Sequence, residues 1–267
     1  TAGGECLDVL ESSPVSVAVP HPSRHVRSTI QCDDISAHGN RQDLDWLRQS
    51  LRQVFEIKAA RIGPAADDDK TLKILNRIVT WSDEGITLEG DQRHPELIAQ
   101  SCGVAGNPVS TPAEDTNIDE SASDLDSNRA TMYRACVARA NYMSQDRSDV
   151  QYAVKELSRK MSQPTTQDER NLHRFARYLV NKSRHQLVFK YQGNTHEGKF
   201  LINTWSDTDF AGCKATRKST SGGVVQFGGH TIKTWSSTQS VIALSSGEAE
   251  YYFLVKASAQ SLSLINI

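Results

Sequence analysis

The sequence predicts a mixed α/β protein of the α+β kind, with helices gathered in one block and strands arriving as antiparallel pairs. Three observations carry this reading. Apolar residues recur at helical spacing three times between residues 128 and 185. After residue 185 the rhythm changes to short strand-like runs, two of them separated by Gly228-Gly229. A further helical pattern opens near Ser245.

The upstream part is less regular. Arg41 to Phe55 places Leu44, Leu47, Leu51 and Phe55 on one stripe, an amphipathic helix. Ile74 to Trp81, the turn Ser82-Asp83-Glu84-Gly85 and Ile86 to Glu89 make a hairpin. Before that helix, Cys32-Asp33-Asp34 lies inside a strand-like stretch from Ile30 to Ile35. Adjacent acids are costly in a strand unless a cation compensates them. The Asp67-Asp68-Asp69 run follows Gly63-Pro64 and reads as a solvated loop.

In the central block, Met132, Cys136, Ala140 and Met143 form the first helical stripe. A capping box, Ser148 to Gln151, opens the second, with Val150, Ala153, Val154, Leu157 and Met161 on one side. A second box, Thr166 to Glu169, opens the third, which buries Leu172, Phe175, Ala176 and Leu179. Beyond it, Leu187 to Tyr191 leads through Gly193-Asn194 to Phe200 to Trp205. The pair Gly223 to Phe227 and Thr231 to Trp235 follows, joined by the two glycines.

The 267 residues are 37% hydrophobic and 23% charged, which supplies a core and excludes a disordered polyelectrolyte. No apolar run reaches the ~18–20 residues of a membrane span, and no signal peptide is visible. The first residue is not Met, and Leu262 to Ile267 look like the middle of an element, so both ends read as cuts. Five widely spaced cysteines, without a CxxC pair, argue against a disulfide framework or zinc ribbon and for a reducing compartment.

A formal net charge of −2 conceals strong segregation. Residues 1–104 are net acidic. Residues 105–127 carry 6 acidic and no basic side chains, with scattered Pro, Ser and Thr, and read as a solvated linker open to proteolysis. Residues 128–185 hold 12 Lys or Arg against 5 Asp or Glu; residues 186–267 are close to neutral. The basic block reads either as solvated helix faces or as a surface for a nucleic-acid backbone. Arg170, Arg174 and Arg177 share one side of the third helix, and Lys155, Arg159 and Lys160 add charge nearby.

From about residue 26 the chain resembles the Pol polyprotein of copia-type LTR retrotransposons, at the end of its reverse transcriptase and into its ribonuclease H. Cys32-Asp33-Asp34 stands where the polymerase's apolar-Asp-Asp motif would. Tyr133-Arg134, Asp149 to Val154, Leu157-Ser158-Arg159, Pro164-Thr165 and Arg177-Tyr178-Leu179 resemble its connecting helices. Trp205 to Gly212, Arg217 to Gly222 and Ala243 to Tyr251 resemble its ribonuclease H. The ordered series spans some 225 residues. It implies a reverse-transcriptase palm and thumb remnant over 1–104, the acidic linker at 105–127, a helical connection over 128–185 and a truncated ribonuclease H-like domain over 186–267.

The resemblance also implies a chemistry. Ribonuclease H cuts the RNA of an RNA–DNA hybrid with two Mg²⁺ ions roughly 3.5–4 Å apart, held by carboxylates from several elements. Asp207 is the expected first ligand and Glu250 the second, within about 8 Å of each other if they share a metal pair. Asp209 stands two residues on and on the same face, either as a ligand or as a turn-capping acid. Glu248 is set aside because Ser245 to Glu248 is itself a capping box. Asp33 and Asp34 would be the polymerase remnant. The family's later carboxylates have no counterpart in residues 251–267, so both active sites are expected to be incomplete. Two readings remain: part of an active enzyme inside a cytoplasmic particle or nucleus, working with other parts of the polyprotein, or a decayed copy that at most binds nucleic acid.

Overall fold

The computed structural model describes residues 10–13, 16–20, 23–31, 34–104, 106–114, 119, 121–192 and 201–265. The chain divides into two units, 1–61 and 62–267.

In the first unit four strands, β1 (Leu10–Ser13), β2 (Ser16–Pro20), β3 (Val26–Gln31) and β4 (Asp34–Gly39), form an antiparallel meander. A helix follows, α1 (Arg41–Arg52). Asn40 caps it: its Oδ1 accepts the Asp43 N–H at 2.9 Å, the interaction that satisfies an orphan donor of the first turn. Arg24 reaches the Asp43 carboxylate and stacks 4.3 Å from the Trp46 ring centroid. No residue of α1 is buried, and Phe55, expected on its stripe, lies past the helix end and is exposed. The described residues between Ile30 and Ile35 belong to two strands, β3 ending at Gln31 and β4 beginning at Asp34. Register pairs Gln31 with Asp34, and Cys32 and Asp33 lie outside the described residues.

The second unit opens with a sheet in the order β5 (Thr71–Ile74), β6 (Arg77–Ser82), β7 (Gly85–Glu89), β8 (Gln186–Lys190). The run from Ile74 to Trp81 is therefore broken. Leu75 and Asn76 take φ of 49° and 64°, the pair of positive values that a tight two-residue hairpin turn requires. β8 comes from beyond the helical block and pairs antiparallel with β7. It does not pair with the next strand, although the order of the sequence suggests it.

The core lies among the helices α2 (Arg93–Ser101), α3 (Ser127–Met143), α4 (Gln151–Ser158) and α5 (Thr166–Asn181). Cys136, Ala140, Met143, Val150, Ala153, Val154, Leu157, Leu172, Phe175, Ala176 and Leu179 are buried as the stripes predict, with Met132 and Met161 packed at the edge. Tyr133 is fully buried, and its hydroxyl donates to the Leu157 carbonyl at 2.8 Å, which removes the cost of an unpaired polar group.

Two caps differ from expectation. The box of α5 is Thr165 with Asp168, one residue early, because Asp168 reaches back to the Thr165 N–H at 2.8 Å while Glu169 is drawn to Arg129. The box at Ser148 does not form. Asp149 is held by Arg147 and by the Tyr178 hydroxyl, and the chain enters α4 through a single 3₁₀ turn.

A three-stranded antiparallel sheet follows, β9 (Ile202–Asp209), β10 (Thr220–Phe227) and β11 (His230–Thr238), with β10 central, and then α6 (Ser246–Ile265). Gly228, with φ 59°, turns the β10–β11 hairpin. Among the described residues no helix is long and apolar enough to cross a membrane, and Cys102, Cys136 and Cys213 are free thiols.

Candidate carboxylate and nucleic-acid sites

Asp207 stands on β9, an edge strand, opposite Gly222. Its side chain is exposed, and Oδ1 accepts the neighbouring Thr208 N–H at 2.9 Å. Strand alternation puts Asp207 on the face shared by Trp205, Asp209 and Thr220. The other face carries α6: Thr204 bonds Ser261, and the Trp235 ring lies over Gly223 and meets Phe253 edge-on at 5.8 Å. Asp207 and the helix that carries Glu250 thus lie on opposite faces of this sheet.

Asp209 folds back on the turn that follows. Its carboxylate lies so close that a Cβ on Gly212 would come within 1.6 Å of Oδ2. The exposed carboxylate thus lies against the backbone of the turn at Gly212.

The first turn of α6 separates its two glutamates as its capping pattern implies. Ser245 Oγ accepts the Glu248 N–H at 3.1 Å, and Glu248 Oε2 accepts from the Leu244 N–H at 2.7 Å, one residue before the cap. Tyr252 also donates to Glu248, which raises the tyrosine's pKa. Glu250 is exposed and makes no hydrogen bond or ion pair among the described residues. Mg²⁺ is a hard cation and suits these carboxylate oxygens. No group of three or more His, Cys, Asp or Glu among the described residues could hold a metal ion, so this donor set does not fit a two-metal site. Asp34 is exposed at the start of β4, and Asp33 lies outside the described residues.

The basic residues are mostly engaged. Lys155 donates to Thr220 Oγ1 at 2.8 Å and lies 4.6 Å from the Tyr152 ring centroid, tying α4 to the sheet. Arg159 bridges Glu156 at 3.2 Å and donates to Cys213 Sγ at 2.8 Å. Lys160 is exposed and has no partner among the described residues.

The row of Arg170, Arg174 and Arg177 is covered by the acidic segment. Among its described residues that segment has no helix or strand before Ser127, but it is not free of the fold, since Val109, Ala113 and Leu125 pack on the helical core. Arg170 pairs with Asp119. Arg174 pairs with Glu114 at 2.9 Å and donates to Thr111 Oγ1 at 2.8 Å. Arg177 donates to the Asn107 carbonyl at 2.6 Å. Asn107, Thr111, Glu114 and Asp119 are the residues that sequence reasoning missed. Their signal was the opposite charge of adjacent segments, which does not specify who meets whom.

Helical core, antiparallel sheets and carboxylates at a sheet edge define a mixed α/β protein. No protein-family model and no solved structure matches the chain. Curated relatives do. The chain is 33% identical over 165 residues to a retrovirus-related Pol polyprotein from transposon RE1 of Arabidopsis thaliana, covering 62% of this chain and 11% of that one. To the corresponding polyprotein from transposon RE2 of the same plant it is 31% identical over 177 residues, 66% of this chain and 12% of that one. An uncharacterized mitochondrial protein of Arabidopsis thaliana is 30% identical over 170 residues, 63% of this chain and 68% of its own length. The chain is thus similar to part of the Pol polyproteins of copia-type retrotransposons. It spans about a tenth of the length of the two Pol polyproteins it matches.

Proposed function

We propose that this chain is the part of a copia-type Pol polyprotein running from the end of the reverse transcriptase into the ribonuclease H, and that it holds RNA–DNA hybrid for phosphodiester hydrolysis. The observation that carries the reading is the contrast at the start of α6, where Glu248 is consumed by the cap while Glu250 is exposed and unpaired. A carboxylate kept out of every local bond is available to a cation. Asp207, exposed on an edge strand, is its proposed companion, with Asp209 next to it, and Asp33 with Asp34 mark the polymerase remnant. Arg159, Lys160, Arg170, Arg174 and Arg177 are the proposed contacts to the backbone. Because these residues do not by themselves fit a two-metal site, the Mg²⁺ that such chemistry uses would have to be held jointly by Asp207, Glu250 and carboxylates from other parts of the polyprotein.

The chain alone binds without turnover, because two carboxylates cannot neutralise two divalent ions. The placement of Asp207 and the helix that carries Glu250 on opposite faces of the sheet favours a second reading, a copy retained as a non-catalytic nucleic-acid-binding module. A labelled RNA–DNA hybrid with the purified chain and Mg²⁺ tests both. Binding should fall steeply with salt, and no cleavage should appear. Cleavage that vanishes in both Asp207→Asn and Glu250→Gln would overturn the claim of no turnover. Salt-insensitive binding would remove the case for the basic helices.

A further inference from the structure

The arginine row and the acidic segment satisfy each other, and that pairing bears on how the row is used. Arg170 to Arg177 spans seven residues, about 10 Å of helix. Over that length one nucleic-acid strand presents about three phosphates, at ~3.4 Å of axis per charge. The segment presents a comparable row of oxygens to the same guanidinium groups: the Asn107 carbonyl, the Thr111 hydroxyl and the Glu114 and Asp119 carboxylates.

We infer that residues 107–114 together with Asp119 form a built-in competitor for the nucleic-acid backbone, occupying the arginine row of α5 until hybrid displaces them. The inference rests on the proposed role of that row in hybrid binding.

Three features make the segment displaceable rather than a permanent part of the core. It has no strand or helix of its own between 106 and 114. Its anchors are the partly buried Val109 and Ala113, together with the Val109 carbonyl, which accepts from Asn181 Nδ2 at 3.1 Å. Its ion pairs lie at the surface, with Arg170 55% and Glu114 59% exposed, and such pairs are individually weak. The fit is also incomplete, since Arg174 Nε is buried without a partner. A backbone phosphate can take a guanidinium bidentately, as a carboxylate can, and so can replace one at this row. Asp119 is pre-shaped by its own turn, where Oδ1 accepts the Ser121 N–H at 3.0 Å and the Ser121 hydroxyl.

The test uses the full chain and a fluorescently labelled RNA–DNA hybrid of about 20 base pairs (two turns of duplex), with affinity read by anisotropy across a salt series. The double variant Glu114→Gln/Asp119→Asn should bind about tenfold tighter, or about 1.4 kcal/mol. Its salt slope should steepen by about two, as two arginines gain phosphates. The control Asp83→Asn/Glu84→Gln makes the same charge change in an exposed turn remote in sequence and should tighten binding far less. Arg170→Ala/Arg174→Ala should weaken binding by the parent chain, and should cost more in the Glu114/Asp119 variant, abolishing its gain. Hybrid should also expose residues 107–114 to a protease in the parent chain.

Equal tightening by the control pair would overturn the inference in favour of a general charge effect. If the Glu114/Asp119 variant gains nothing while Arg170→Ala/Arg174→Ala weakens the parent chain, the row binds hybrid and the competitor role is lost. If the arginine variant is silent in both backgrounds, the row is not the binding site, and the proposed role falls with the inference. Protection of 107–114 by hybrid would overturn the displacement itself.

Discussion

Cys213 shows how a side chain's chemistry depends on neighbours far off in the sequence. Burial pushes its thiol up, but the Thr216 hydroxyl and the Arg159 guanidinium more than offset this and bring it to about 7. A thiolate is the reactive form, so Cys213 should alkylate near neutral pH faster than Cys102 or Cys136. Cys136 is also lowered, first by its hydrogen bond with Cys102, yet it is buried and out of reach of reagent. Arg159→Ala should slow Cys213 labelling at pH 7 by about fivefold, the thiolate lost when the pKa rises from about 7 by one unit. Equal labelling rates in the two proteins, followed by mass spectrometry, would show that Arg159 does not set this thiol. At this scale the sequence was legible where partners are close. Ser245 and Glu248 sit three apart and form their cap as their spacing implies. Arg174 meets Thr111 across 63 residues and Arg177 meets Asn107 across 70, pairings no local pattern specifies.

The helical stripes of the central block, among the elements, were almost fully readable, because burial at a period of 3.6 records the core directly. Strand partners were not. β8 has the alternating pattern of a half-buried strand but nothing in it names β7 rather than β9 as neighbour. What admits it is Gly85. There φ is +154°, and a Cβ would sit 2.2 Å from the Phe189 carbonyl oxygen of β8. The glycine is required by the approach of a strand 100 residues away, which is why the local turn Ser82 to Gly85 hid its purpose. Gly85→Ala should therefore destabilise the second unit by about 2–4 kcal/mol, through strain and loss of strand pairing. Amide exchange should rise along β7 and β8 before it rises in α3. A chemical denaturation midpoint unchanged from the parent protein would mean that the β7–β8 edge adapts without cost.

Across the molecule the helical block and the first sheet of the second unit are joined by a charge cluster at Glu89. This residue ends β7, is only 3% exposed, and accepts from Arg184 at 2.8 and 2.6 Å, with Gln186 and Gln92 adding bonds. Arg184 lies in the segment between α5 and β8, so one carboxylate fixes where the chain leaves the helices and enters the sheet. The Arg184 guanidinium first, and the two amides after it, hold Glu89 down at about 2 against an ordinary 4.5, outweighing the burial that raises it. A carboxylate whose folded value is depressed contributes stability that is fully present above its unfolded value and is lost as pH falls through the folded one. The window is therefore about pH 4.5 down to about 2. Because Arg184 is 63% exposed, solvent screens the pair, and its contribution at pH 7 is on the order of 2 kcal/mol. Glu89→Gln should lose about that much at pH 7 and flatten the decline in stability between pH 4.5 and 2. Urea denaturation of both proteins at pH 7, 4.5 and 3 measures it. A deficit that stays constant at all three values would show that Glu89 acts through packing rather than charge.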